Sequence, residues 1–265
     1  MIMQIIFQKC DPVNSSGVDE VNYFKGLGVI PEVETIPENY DGLLLKLDGQ
    51  GLSLSRVGDN SAPTRVDFQD ARLQYRVDTS RRHEGLLKAV GLDKRSPSPV
   101  RVLDATAGLA TDAYLLAAFG CDVTLAEKSP VMAALIQDGL NQGLVCSDGV
   151  VRERLARMQF LHTDAHTLLR ELEAGDEQWL PDVIYLDPMF PARQKTAKVK
   201  KDMALLQALL EPNLDVAELL AIARRVARKR VVLKRPGKSE KHPSPRPDFQ
   251  VPGKSCHFQV FLKGQ

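Results

Sequence analysis

From residue 100 onward the chain alternates between two hydrophobic rhythms. Short apolar runs with the character of buried strands fall at 100–108 (VRVLDATAG), 121–128 (CDVTLAEK), 158–164 (MQFLHTD), 181–191 (PDVIYLDPMFP), 229–236 (KRVVLKRP) and 256–264 (CHFQVFLKG). Segments of helical period fall between them, at 111–120, 130–143, 166–175 and 214–227. Gly120 and Gly143 close the first two, and Pro130 stands in the first turn of the second. Strands separated by helices require right-handed crossovers and therefore a mainly parallel sheet. The expected fold class is α/β, doubly wound.

The first 75 residues read differently. MIMQIIFQKC has apolar character but neither a basic leader nor a small-residue cleavage site, so it reads as a strand. Residues 42–58 hold two short apolar runs around Asp48–Gly51, the pattern of a hairpin, and 64–68 (TRVDF) reads as another short strand. A small β-rich region over 1–75 followed by a larger domain over 76–265 is the expected organisation. The basic stretch 76–83 leads into a short helix at 84–90, and 92–99 reads as a loop.

Composition narrows the class. The chain has 265 residues, 43% hydrophobic and 26% charged, with a mean hydropathy of −0.20. No apolar run reaches the ~20 residues of a membrane span. Cys10, Cys121, Cys146 and Cys256 are scattered, which fits a reducing cytoplasm better than a disulfide framework. His162 and His166 lie four apart, but the segment begins as a strand end, so no metal site is expected. The net charge of +1 hides an asymmetry: residues 1–192 carry a net −10 and residues 193–265 a net +11. So concentrated a basic block points to a polyanion partner.

Ligands of such sheets bind beyond the carboxyl ends of the strands. Asp104, Glu127, Asp164 and Asp187 each close an apolar strand. After Asp104 come Ala105, Ala107 and Gly108, small residues that let a ligand approach the backbone. The turn holds one glycine where a dinucleotide pyrophosphate needs several. Glu127, 19 residues beyond Gly108, is placed to accept the hydroxyls of a ribose. A nucleoside ligand without a pyrophosphate, S-adenosylmethionine, fits better than NAD.

LDPMFP (186–191) resembles the [D/N]-P-P-[F/Y] turn of amino-group methyltransferases, with Met189 in place of the second proline. An exocyclic amino group is a poor nucleophile because its lone pair is delocalised into the ring. The Asp187 side chain and a backbone carbonyl at Pro188 would hold both its hydrogens, and Phe190 would stack on the base. Orientation then does most of the work. Three alternatives stay open: an amino-group methyltransferase acting on DNA adenine or protein glutamine, an NAD-dependent oxidoreductase, and a non-catalytic RNA-binding module.

VLDATAGLATDAYLLAAFGCDVTLAEKSPVMAALIQDGL, YLDPMFPARQKTAKVKKDM and RVVLKRP together resemble the bacterial small-subunit ribosomal RNA guanine-N2 methyltransferase family. The resemblance covers about 66–261. It implies a class I methyltransferase fold, S-adenosylmethionine as cofactor, and transfer to N2 of one guanine in 16S ribosomal RNA or the small subunit. It further implies cofactor contacts at Thr111 and Asp112, Glu127 and Lys128, Asp164 and Ala165, and Asp187, beside the Asp104, Ala105 and Gly108 turn. The family usually has Gly-Arg-Asp where this chain has Ala110–Thr111–Asp112, and two serines where it has Asp164–Ala165. Contacts at Thr111 and Ala165 then fall to the backbone, and Asp164 is placed to receive an adenine amino group. Arg193, Lys195 and Lys198, with Lys234 and Arg235 at the end of the fifth strand, are expected to meet RNA phosphates.

Overall fold

The computed structural model describes residues 5–10, 30–60, 62–80, 84–92, 99–188, 215–237, 245–253 and 255–264. These fall into two compact units. One gathers the described residues of Met1–Gln69 and Ser129–Arg152, the other those of Asp70–Lys128, Glu153–Phe190 and Asn213–Gln265.

In the first unit, β1 (Ile5–Lys9) runs parallel to β2 (Leu43–Asp48), which turns back through a two-residue loop into β3 (Gly51–Arg56). The hairpin expected at 42–58 is present, with Asp48 opposite Gly51. The Asp48 carboxylate caps the turn by accepting the Gln50 N–H, and Arg65 bridges Asp48 to the Gly51 carbonyl. The strand expected at 64–68 is reduced to one bridge, Thr64 with Leu54. Pro63 before it has no N–H to pair, and Asp67 after it bends the chain by accepting the Gln69 N–H. The helix Pro130–Val145 (α4) belongs to this unit, opened by the Ser129 hydroxyl. Its buried Asp138 accepts the Leu52 N–H at 2.8 Å, tying the helix to β3. A side chain at Gly139 would lie 2.5 Å from the Val66 carbonyl, so only glycine permits this approach.

The second unit holds seven strands in the order β6-β5-β4-β7-β8-β10-β9. β4 (Arg101–Asp104), β5 (Asp122–Glu127), β6 (Met158–His162), β7 (Val183–Leu186) and β8 (Arg230–Pro236) are parallel. β10 (Cys256–Leu262) runs antiparallel between β8 and β9 (Phe249–Pro252). Helices α1 (Ala71–Thr79), α2 (Gly85–Val90), α3 (Thr111–Ala118), α6 (Ala165–Ala174) and α7 (Val216–Val226) complete the unit, and α5 (Gly149–Leu155) leads back into it.

Strand alternation divides the sheet's contacts. Leu103, Ile184, Leu186, Val231 and Leu233 form one core with Leu169 of α6 and Leu219, Leu220, Ala223 and Val226 of α7. Tyr185, between Ile184 and Leu186, points the other way, and its hydroxyl meets α3. Both faces are therefore covered, as a doubly wound sheet requires. Each buried leucine of this core contributes roughly 1.5–3 kcal/mol. All four cysteines are free, and no helix among the described residues is long and apolar enough to cross a membrane.

Candidate active site

The carboxyl ends of β4, β7 and β8 bring their polar residues together. Asp104 is 1% exposed and accepts the Thr106 N–H at 3.1 Å. The turn after it returns the Thr106 hydroxyl to accept the Asp187 backbone N–H at 2.6 Å, pinning the end of β7 to the loop after β4. Ala105 is buried, and its N–H donates to the Tyr185 carbonyl. Gly108 turns through φ 55°, and its N–H donates to the Glu127 carboxylate at 3.2 Å. Ala110 adopts the left-handed conformation, φ 57° and ψ 15°, before α3 begins. Thr111 is exposed, whereas Asp112 in the same turn is buried.

Asp112 is the hub. It accepts from Arg76 of α1 at 2.8 Å, from Lys234 of β8 at 2.8 Å and from the Tyr185 hydroxyl at 2.7 Å. Lys234 also donates to Asp187 at 2.7 Å. Arg76 in turn meets Glu84, the residue before α2, at 3.4 Å.

Proton affinities follow from this packing. Burial foremost, eased by the Thr106 N–H and reinforced by the charges of Asp112 and Asp187, pushes the Asp104 carboxyl up to about 8. Asp104 is thus a neutral acid at pH 7. Burial alone would raise Asp112 too, but Lys234 and Arg76 hold it well below the usual carboxylate range. Burial raises Asp187, Lys234 draws it back and the Asp112 charge raises it again, leaving it above its ordinary value. Lys234 is held well above the usual lysine range by the two carboxylates, against the effect of burial. Burial and the Asp112 charge likewise keep Tyr185 protonated. Asp112, Asp187 and Glu84 thus surround the two cations Lys234 and Arg76.

Residues 31–263 match the family described as "Putative SAM-dependent methyltransferase". The ribosomal RNA small subunit methyltransferase J of Thioalkalivibrio sulfidiphilus is 44% identical over 225 residues, 84% of this chain and 85% of the relative. That of Pseudomonas fluorescens is 40% identical over 221 residues, 83% of this chain and 82% of the relative. The chain belongs to this methyltransferase J family. A SAM-dependent methyltransferase from Neisseria gonorrhoeae has the same fold, with a TM-score of 0.72 at 31% identity, covering 97% of this chain and 95% of its own.

S-adenosylmethionine is the family's cofactor, and these residues fit it. A ligand bearing a sulfonium and an ammonium suits an edge where three carboxyl groups gather. Among the described residues, a side chain on Gly108 would meet only the Thr106 carbonyl, at 4.0 Å, so the turn beside Glu127 has room. The buried Glu127 closes β5, and Lys128, half-buried, follows it. Asp164 lies two residues past β6 and caps α6 by accepting the His166 and Thr167 N–H groups. Ala165 is the buried first residue of that helix.

One expected residue, Lys234, sits differently from a phosphate-facing role. Lys234 is turned inward onto Asp112 and Asp187, because β8 alternation sets it on the face opposite Leu233. Arg235 donates to the buried Gln259 at 3.5 Å. Pro188 is buried after Asp187, while Phe190, Arg193, Lys195 and Lys198 lie outside the described residues. Sequence reasoning missed Arg76, Thr106 and Tyr185. Tyr185 alone left a signal: a hydroxyl within an otherwise apolar, buried strand needs a partner.

Proposed function

We propose that this chain transfers a methyl group from S-adenosylmethionine to the exocyclic N2 of one guanine in 16S ribosomal RNA. The observation that carries the reading is Asp187, held at the carboxyl end of β7 by its own N–H on Thr106 and by Lys234 on its Oδ2. Among the described residues that leaves Oδ1 for one hydrogen of an amino group, with the Pro188 carbonyl for the other. The relatives' name supports ribosomal RNA of the small subunit as substrate.

The cofactor supplies an electrophilic methyl group. Glu127 receives the ribose hydroxyls, with Lys128 beside it. Asp104, Ala105, Gly108, Thr111 and Asp112 shape the cofactor's seat. Asp164 and Ala165 border the adenine. Asp187 stabilises the positive charge that grows on the amino nitrogen as it is methylated, and Phe190 stacks on the base. Arg193, Lys195, Lys198 and Arg235 meet the RNA backbone.

The test is methyl transfer to 16S ribosomal RNA and to small-subunit particles, with the product nucleoside identified by mass spectrometry. N2-methylguanosine at one position is expected, and it should be missing from ribosomes of a deletion strain. Methylation of adenine or of protein glutamine, with none on ribosomal guanine, would overturn the reading.

A further inference from the structure

The register of β7 and β8 pairs Leu186 with Leu233, so the next step along both strands sets Asp187 beside Lys234. The Lys234 ammonium then spans two carboxylates on different elements, Asp112 in the first turn of α3 and Asp187 after β7. Its side chain is 25% exposed, so it is partly withdrawn from solvent. A lysine serving RNA phosphates would project into water, whereas this one is saturated by anions. Asp112 has two further donors, Arg76 and the Tyr185 hydroxyl. For the Asp187 carboxylate, Lys234 is the charged donor the structure provides.

We propose that Lys234 is a positioning residue for methyl transfer: it clamps the Asp187 carboxylate to Asp112 and keeps it ionised and aimed at the substrate amino group. The proposal rests on the reading of Asp187 as the amino-group acceptor. Among the described residues, without the ammonium Asp187 would face Asp112 with no cation between them, and Arg76 is already bound to Asp112 and Glu84. The other titratable groups around Asp187, among the described residues, are Asp104 of β4, Tyr185 of β7 and Cys256 of β10. None of them supplies a positive charge in the neutral range. Loss of Lys234 therefore shifts Asp187 toward its protonated form, which accepts more weakly and carries no charge to offset the cation that grows on the amino nitrogen.

The experiment compares full-length wild type with Lys234→Met, Lys234→Gln and Lys234→Arg in single-turnover methyl transfer between pH 5.5 and 9. Lys234→Met should be slower by about 10²-fold at pH 7, the scale of a misplaced reacting group. Its acid limb should move up by about one pH unit or more, so that alkaline pH recovers part of the rate. Lys234→Arg should keep the limb near the wild-type pH. Carbon-13 NMR of labelled aspartate carboxyls in the S-adenosylhomocysteine complex reads the Asp187 titration without turnover, and it should move upward in Lys234→Met. Lys234→Gln gives the same readouts if the methionine variant does not fold. An unmoved acid limb and unmoved Asp187 resonance, with only a lower Tm, would overturn the proposal. Asp187→Asn in the same assay separates the two ideas. If that variant works normally, the reading of Asp187 has failed. If it is impaired while the Lys234 variants keep the wild-type profile, only the clamp has failed.

Discussion

Asp104 and Asp187 end neighbouring strands, yet one carboxyl is 1% exposed without a cation bonded to it and the other is bonded to Lys234. The difference assigns them different work. Asp104, at about 8, binds a proton in the folded state that the unfolded chain has lost above pH ~4. Stability from this group is complete below the unfolded value and is lost as pH rises toward 8, at no more than about 1.4 kcal/mol per pH unit. Asp104→Asn carries no such titration, so its thermal stability should overtake wild type progressively from pH 5 to 8 and then run parallel. Equal pH slopes for the two proteins would show that Asp104 is ionised in the fold. Asp187→Ala should lose about 10²–10³-fold in the single-turnover rate, by analogy with deleting one preorganised transition-state hydrogen bond. Asp187→Asn, whose amide oxygen still accepts, should lose less. A folded Asp187→Ala protein with a near-normal rate would reduce the DPMF turn to structure. The strand-end acids were legible because a carboxylate closing an apolar run stands out locally. Arg76 and the inward turn of Lys234 were not, since Lys234 finds its partners 47 and 122 residues away.

The strands and helices of the larger sheet were visible in periodicity because burial imposes it on each of them. The helices Ala71–Thr79 and Gly149–Leu155 were missed because their apolar stripes are short, Val77 in the first and Val151 with Leu155 in the second, and polar contacts also hold them. Gln74 of α1 donates to the Tyr114 hydroxyl, and Arg154 of α5 donates to Gln74 and lies over the Tyr114 ring. β9 is only four residues and escaped for its brevity. The same scale explains a departure from the family. Asp164 is a helix cap, and serine caps nearly as well as aspartate, so a serine at this position would satisfy the same N–H groups. Asp164→Ser should hold the wild-type Tm closely, whereas Asp164→Ala should cost ~1 kcal/mol. Calorimetry with S-adenosylhomocysteine adds the second half: if Asp164 also receives the adenine, the serine variant will bind more weakly despite its intact stability. Unchanged affinity would leave the cap as its whole role.

Across the whole molecule the charge is polarised, net −10 before residue 193 and net +11 from there on. Asp104 and Glu127 end β4 and β5 and Asp187 follows β7, while the excess of lysine and arginine follows the DPMF sequence. Reversing Lys195 and Lys198 to glutamate should weaken RNA binding and flatten its dependence on salt, because fewer counterions are released. Cofactor affinity should stay constant. If the slope of log affinity against log salt is unaltered, these lysines are a solvated run only.

The neutral Asp104 has a calorimetric consequence. A cation settling among the carboxyl ends of β4 and β7 would favour the ionised form of the acids there, and Asp104, pushed up to about 8, still holds its proton at pH 7. Binding of S-adenosylmethionine should therefore expel hydrogen ions into the buffer, up to about one per site. S-adenosylhomocysteine, which lacks the sulfonium charge, should expel fewer. Titrations in phosphate and in Tris, which differ in ionisation enthalpy, should then report different heats for the substrate and more similar heats for the product. The methyl group's charge would leave its signature in the solvent before any bond is made.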